Sequence, residues 1–343
     1  MVDVRLADAS DQAEWDAFVQ THPQGLLGHQ FAFYDFHYQT MRLTPSYWIA
    51  RDASQVVGVA PFFLRSHLGL GKRLTSVPYL NTGGLLAISP QAQSALWEVI
   101  QTFATGKRVN TIELRNRYTN LPTFEVRQGR STSIIPLAAT EEAAWEQLKS
   151  VARNRIRKAQ GFGLEVQHGF EHLEGFWTAY CDNMYFLGSP VLPRRWFEHL
   201  AEHPTLGGHL ITLAHQGRTV AGIVLMTFKE GVENGWTASL IAARDLYCND
   251  LLYWEATRWA VAQGHQWLDL GRSQAEGSHE KFKEKFGAKS LLLPYQELTH
   301  NPSGWQAVTH EPEGLYEAFN RTWKRLPQRL ATLIGPYVSR QVY

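Results

Sequence analysis

Residues 271–287, GRSQAEGSHEKFKEKFG, gather chemistry into a short stretch: three glycines, Arg272, and Lys281, Lys283 and Lys285, directly after an apolar strand pattern. A glycine-rich loop beside cations could hold a phosphate. It is not a P-loop, which needs four residues between its glycines and a lysine after the second. Here five residues separate Gly271 from Gly277, and Ser278 follows. Lys283 could stabilise a developing oxyanion or a leaving oxygen. Spacing alone equally allows Lys281, Lys283 and Lys285 to form a solvated, alternating face. Asp269, in the preceding WLDL, could position an amine or accept its proton; as a strand-end carboxylate it could equally cap the next turn. Arg272 follows the expected strand end, a position that favours function.

Three other stretches could touch a ligand. SVPYLNTGGLLA (76–87) carries Tyr79, Asn81 and the pair Gly83-Gly84, which permits close backbone approach, to a ligand or within an ordinary turn. The basic run ARNRIRKA (152–159) places Arg153 with Arg157, and Asn154 with Lys158, on shared helix faces. These could contact phosphates or serve as a solubilising face. HLAEH (199–203) matches the inverzincin pattern, but Pro204 follows at once, and the motif is short in a chain with 14 histidines. No metal is expected.

The elements that position these residues occur twice. YWIARDASQVVGVAPFFL and LITLAHQGRTVAGIVLMTF each read as two strands around a polar turn, with a small-residue step (Gly58, or Ala221-Gly222) in the second strand. Each is followed by an amphipathic helix and then a strand. Those final strands, 111–114 and 267–270, carry Glu113 and Asp269 at matching positions. The helix over 250–263 is expected to be capped by Asn249 or Asp250 and ended by Gly264. Residues 141–163 read as one helix. The architecture expected is two copies of one α/β unit.

Composition sets bounds. At 343 residues two domains are expected, and 44% apolar residues suffice for a sizeable core. Lys+Arg total 33 and Asp+Glu 32, so binding nucleic acid through overall charge is excluded, while a local basic patch is not. Cys181 and Cys248 are the only cysteines, which fits a reducing compartment. No stretch approaches the ~18 apolar residues of a membrane span, and the start has no signal-peptide pattern. A cytoplasmic protein is expected. Twelve tryptophans are expected mainly to fill core.

This pattern resembles the GNAT N-acyltransferase fold, and its doubled form resembles the FemAB family, most closely the FemAB-like proteins associated with exosortase/PEP-CTERM systems. The likeness is carried by SVPYLNTGGLLA, ARNRIRKA, LGSPVLPRRWFEHL (187–200), NDLLYWE (249–255), DLGRS (269–273), the pair Phe282-Lys283 before Phe286-Gly287, and WKRLPQRLATLIGP (323–336). Phe286 stands where that family has its usual aromatic. The resemblance implies two tandem GNAT-like domains, each a mixed twisted sheet flanked by helices, over 1–140 and 141–310, with a helical tail over 311–343. It implies transfer of an aminoacyl group from aminoacyl-tRNA to an amine of a cell-envelope precursor or exported glycan. Lys283, Asp269 and Arg272 would be catalytic. Phe282 would stack on the terminal adenine. Tyr79, Asn81, Gly83 and Gly84 would line the acceptor side, with Arg153, Arg157, Lys158, Asn249 and Tyr253 also contacting substrate. No cofactor, metal or DNA is implied.

Two other readings stand beside it. An acetyl-CoA-dependent GNAT acetyltransferase binds the donor pyrophosphate at a glycine-rich helix entry. The corresponding ARDLYCNDLLYWE has no glycine, and Asp245 and Asp250 would repel that anion. A non-catalytic RNA- or glycan-binding module is the third. Finally, the basic and apolar tail could rest on an anionic membrane surface, placing the protein at the inner face, or pack as a terminal helix.

Overall fold

A computed structural model describes residues 1–67, 71–118, 120–127, 129–274, 277–309 and 314–342. Residues 275–276 of the glycine-rich stretch lie outside the described residues. The chain divides into two compact units, residues 1–130 with 293–311, and residues 131–292 with 312–342.

The first unit holds β1 (Val2–Leu6), α1 (Gln12–Thr21), α2 (Phe33–Met41), β2 (Thr44–Asp52), β3 (Gln55–His67), β4 (Gly71–Ser76), β5 (Leu86–Ala87), α3 (Pro90–Gly106) and β6 (Thr111–Leu114). The chain leaves it and returns at β14 (Gln296–Asn301) and β15 (Gly304–Ala307). The sheet order is β1-β2-β3-β4-β6-β14-β15, with β5 paired to β3. Helix α3 starts cleanly: the Ser89 hydroxyl accepts from Ala92 N at 3.2 Å, and Pro90 occupies the first turn. It buries Leu96, Ile100 and Ala104 against Trp48, Phe62 and Ile112.

The second unit holds β7 (Arg130–Pro136), α4 (Glu141–Gln147), α5 (Ser150–Gly161), β8 (Glu165–His168), α6 (Leu173–Leu187), α7 (Arg194–Glu202), β9 (Gly208–His215), β10 (Arg218–Phe228), β11 (Gly231–Ser239), α8 (Cys248–Ala262), β12 (Trp267–Gln274), α9 (Ser278–Glu284) and β13 (Lys289–Leu292). It ends with α10 (Leu315–Trp323) and α11 (Gln328–Val342). Its sheet order is β13-β7-β12-β11-β10-β9-β8. Helix α8 is buried over most of its surface, with Leu251, Leu252, Tyr253, Trp254 and Ala256 and also Asp250, Glu255 and Thr257 inside.

Both hairpins form, and the small-residue steps have a physical reason. A Cβ on Gly58 would lie 2.8 Å from Leu96 Cδ1, and one on Gly222 would lie 2.6 Å from Phe176 Cδ2. Each glycine lets a large side chain of a covering helix, α3 or α6, reach the sheet. At the second turn Gln216 (φ 51°) and Gly217 (φ 74°) are both left-handed, as a two-residue hairpin turn requires.

Four expectations change. Each unit has a third strand of the meander, β4 and β11, that the repeat pattern did not expose. The stretch 141–163 is two helices, because Leu148 and Lys149 are extended: Leu148 is buried, and Lys149 N donates to Lys285 O at 2.9 Å. Helix α8 begins at Cys248, so neither Asn249 nor Asp250 is its cap; Tyr247, in the left-handed conformation, takes that place. Strand β14, read from sequence with the second half, pairs antiparallel with β6 of the first. All twelve tryptophans are buried or half-buried.

Candidate active site

In the second unit β11 and β12 pair in parallel over only three residues, ending at Glu233 opposite Asp269. Just beyond, the β10 ladder jumps from Leu225–Asn234 to Val224–Trp236, so Gly235 is a bulge. Bulges bend a strand and end pairing. The strands part there, and the Asn234 amide spans the opening to Leu270 O at 3.3 Å. The first unit repeats this geometry. Strands β4 and β6 pair in parallel up to Thr75 opposite Glu113, and the next link is Arg115 N to the Ser76 hydroxyl at 2.8 Å. A ligand can enter a sheet without breaking hydrogen bonds only where strands have already parted.

Lys283, Asp269 and Arg272 lie around the second opening. Asp269 is fully buried; its Oδ1 accepts from the Thr132 hydroxyl and from Gly271 N at 2.8 Å. It therefore braces β7 and the turn at Gly271, whose φ is 84°. Lys283 Nζ donates to Gly271 O at 2.6 Å, to the Ser273 hydroxyl at 3.0 Å and to Arg272 O at 3.3 Å. Burial lowers its pKa to about 8, against the opposing charges of Asp269 and Glu280. Strand β12 runs on through Arg272, which is half-buried within it rather than past its end. The glycine-rich stretch contains a helix, α9, and this decides the lysines: Lys281 is exposed, while Lys283 and Lys285 are buried. A solvated alternating face is not what forms.

Phe282 and Tyr253 meet edge to face at 5.8 Å, with Phe286 packed on both. Lys285 Nζ sits 3.7 Å from the Phe282 ring centroid and 2.5 Å from the Asp250 carboxylate. The charge of Asp250 is thus answered inside the protein, and the repulsion expected from it at the entry to α8 does not arise. Asn249 is exposed on the first turn of α8.

Beside that entry is a cleft of about 410 Å³, lined by Ser150, Val151, Asn154, Arg155, Lys158 and Tyr247. Arg155 and Lys158 both lie over the Tyr247 ring, at 5.7 and 5.9 Å. Arg153 and Arg157 turn away: Arg153 pairs with Glu146 at 3.0 Å, and Arg157 lies over Trp145. The basic run is thus divided along the two helix faces, and only one face meets the cleft.

Residues 147–284 match the family profile described as an acetyltransferase (GNAT) domain. The match lies within the second unit. Solved structures extend the fold likeness over both units. FemX is 13% identical with a TM-score of 0.66, over 86% of this chain and 96% of its own. A tandem GNAT protein from the clavulanic acid biosynthesis pathway is 11% identical with a TM-score of 0.55, over 88% and 99%. L-PGS from Bacillus licheniformis is 11% identical with a TM-score of 0.54, over 96% and 98%. At these identities the likeness is one of fold: two tandem GNAT-like halves. No curated protein sequence matches the chain.

In the first unit, Tyr79, Asn81, Gly83 and Gly84 lie on the loop after β4. Val77 (φ 37°) and Tyr79 (φ 71°) are left-handed there, a backbone state that side chains rarely adopt. A Cβ on Gly83 would lie 2.2 Å from Val77 Cγ2, and one on Gly84 2.2 Å from Asn116 Oδ1. The close approach these glycines permit is to Val77 and Asn116. The Asn81 carbonyl accepts from the Tyr295 hydroxyl. Against that loop lies an arginine group, Arg65 and Arg115 buried and Arg73 half-buried. Arg115 pairs with Glu113 at 3.0 Å and Arg73 with Glu297 at 2.7 Å, while Arg65, 4% exposed, donates to the Thr75 hydroxyl at 3.3 Å. Burial would raise the Glu113 pKa, but Arg115 and Arg73 overcome it and hold the carboxylate well below its usual range.

Within the second unit, sequence reasoning missed Asn234, Thr132 and Tyr247. Asn234 and Thr132 lie on strands with no motif of their own. Tyr247 was hidden by the expected cap two or three residues too late. In the HLAEH stretch, α7 ends at Glu202, and the ring of His203, the residue after it, still meets that of His199, with centroids 5.8 Å apart.

Proposed function

We propose that the chain transfers an aminoacyl group from the 3′ end of aminoacyl-tRNA to a primary amine. The observation that carries this reading is the cleft at the entry to α8, whose positive charge comes from Arg155 and Lys158. Single cations on a helix suit the separated phosphates of an RNA strand. A pyrophosphate cradle relies instead on successive free amides at a glycine-rich entry. Here Asp250 N and Leu251 N both donate to Tyr247 O, at 3.0 and 3.2 Å, which shortens any such cradle.

In this reading the ester carbonyl enters where β11 and β12 part. Attack by the neutral amine forms the new C–N bond and expels the ribose oxygen, which takes up a proton as the amine loses one. Lys283 holds the end of β12 and keeps a positive charge beside the departing oxygen. Arg272 stands on the same strand, and Phe282 offers a ring face to the terminal base. Asp269, which braces the turn, positions rather than accepts a proton. The proposed acceptor, an amine on a cell-envelope precursor or exported glycan, rests on the sequence resemblance.

Acetyl-CoA is the second reading, and the Asp250–Lys285 pair favours it, since it removes the Asp250 part of the repulsion argued from sequence and leaves only the exposed Asp245. The deciding experiment offers acetyl-CoA and an aminoacylated acceptor-stem RNA to the enzyme with a simple primary amine. Product from the RNA alone supports the proposal; product from acetyl-CoA alone replaces it. Tight RNA binding without product from either donor would make the chain a binding module.

A further inference from the structure

Helix α11 is built inside out. Its inward positions are small: Ala331 and Ser339 are buried, and Gly335 packs so closely that a Cβ would lie 2.7 Å from Val191 Cγ2. Ile334 and Val338 are half-buried, and three large apolar residues face solvent instead, Leu330 at 42%, Leu333 at 70% and Tyr337 at 68% exposure. These lie at i, i+3 and i+7, one stripe along the helix. A helix that served only to close the domain would turn that stripe inward.

The surroundings of the stripe say what covers it. Residues 314–342 carry five arginines and lysines and a single acid, Glu317. Arg329 and Arg340 flank the stripe at its two ends, with Arg340 over the Tyr337 ring at 5.7 Å. Near the start of α11, Lys324 lies over Phe186, itself 41% exposed at the end of α6, and Arg244 covers the same ring at 4.2 Å. Large apolar groups set among cations, with almost no acid, complement an anionic lipid surface. Among the described residues no helix is long and apolar enough to cross a membrane.

We infer that α11 docks the protein in the plane of an anionic membrane, Leu330, Leu333 and Tyr337 entering the boundary of the acyl chains and Arg329 and Arg340 meeting lipid phosphates. This inference stands independently of the donor. It restricts the acceptor to amines presented at, or dissolved near, a lipid surface.

The test is co-sedimentation of the full chain with vesicles of phosphatidylcholine alone and of phosphatidylcholine mixed equally with phosphatidylglycerol. The expected result is binding to the mixed vesicles only, weakening as salt is added. Leu333→Glu should lower that binding by about ten-fold or more, because it removes one buried apolar side chain and adds a repelled charge. Its melting temperature and its turnover of a water-soluble amine should stay unchanged, which separates this inference from the reaction itself. The pair Arg329→Gln and Arg340→Gln should weaken binding without touching the apolar stripe, and it decides the matter if Leu333→Glu folds poorly. Failure to bind the mixed vesicles at low salt overturns the inference, as does undiminished binding by both variants. A wild-type dimer that Leu333→Glu dissociates would assign the stripe to a second copy of the chain and overturn it equally.

Discussion

Lys285 Nζ lies 2.5 Å from the Asp250 carboxylate, and both side chains are buried, 7% and 5% exposed. The pair joins the residue after α9 to the first turn of α8. It explains how an acid can sit at a helix entry that faces a cationic cleft. Lys285→Met leaves a buried carboxylate without a partner, and should cost about 3–5 kcal/mol of stability, read from urea denaturation. Donor binding should fall with it, because the uncovered charge then faces the cleft. An unchanged midpoint would mean that the pair is solvated in the working protein.

The cleft itself makes a prediction about salt. Replacing Arg155 and Lys158 together by alanine should weaken binding of an acceptor-stem RNA about ten-fold or more and flatten its dependence on salt. Arg153→Ala should do neither, since Arg153 is engaged with Glu146. Filter binding across a salt series distinguishes the two variants. Equal effects would return the whole basic run to the role of a solubilising surface.

Lys283 titrates near the working range. Its pKa is pushed down to about 8 by burial, so its charge fades above that value. If the charge serves the reaction, kcat/KM should fall as pH rises through about 8. Lys283→Arg should move that limb upward, and Lys283→Met should cost about a hundred-fold or more at neutral pH. A limb that stays put in Lys283→Arg would leave the lysine a purely structural prop. Stability gives a second readout. The folded state sheds the proton before the unfolded chain does, at an ordinary value of about 10.4. Wild type should therefore gain stability relative to Lys283→Met between about pH 8 and that value.

In the first unit, Glu113 is the anion that pairs with buried Arg115 at 3.0 Å, and half-buried Arg73 lies 3.7 Å from it. Glu113→Gln should destabilise by about 3 kcal/mol or more at neutral pH. Its folded pKa is depressed, so its contribution is present above the unfolded carboxylate value of about 4.3 and is lost as pH falls below it. The gap between wild type and variant in denaturation midpoint should close over that interval. Arg65→Met should be neutral or stabilising, because among the described residues Arg65 Nε and Nη1 have no hydrogen-bond partner. A large loss there would show that Arg65 serves the unit in a way its contacts do not reveal.

Much of this molecule is local, and sequence reads local terms well. Alternating apolar residues and a two-residue polar turn are enough to make β2–β3 and β9–β10. Helical spacing of Arg153, Arg157, Asn154 and Lys158 was enough to sort the basic run onto two faces. The matched acids Glu113 and Asp269 were legible because the same strand occurs twice. By themselves, then, the residues determined the repeat, its hairpins and its charge layout.

Only the tertiary structure decided what those charges meet. No local pattern says that β14 returns to pair with β6, that Lys285 reaches back to Asp250, or that Lys283 turns inward while Lys281 does not. Nor does composition reveal that α11 buries Ala331, Gly335 and Ser339 and exposes Leu333. Each is a contact between residues far apart in the chain or on packed neighbours, where burial and the position of an opposite charge outweigh local preference. The role of a charged side chain is set by the dielectric and the partner around it, and both are properties of the folded protein alone.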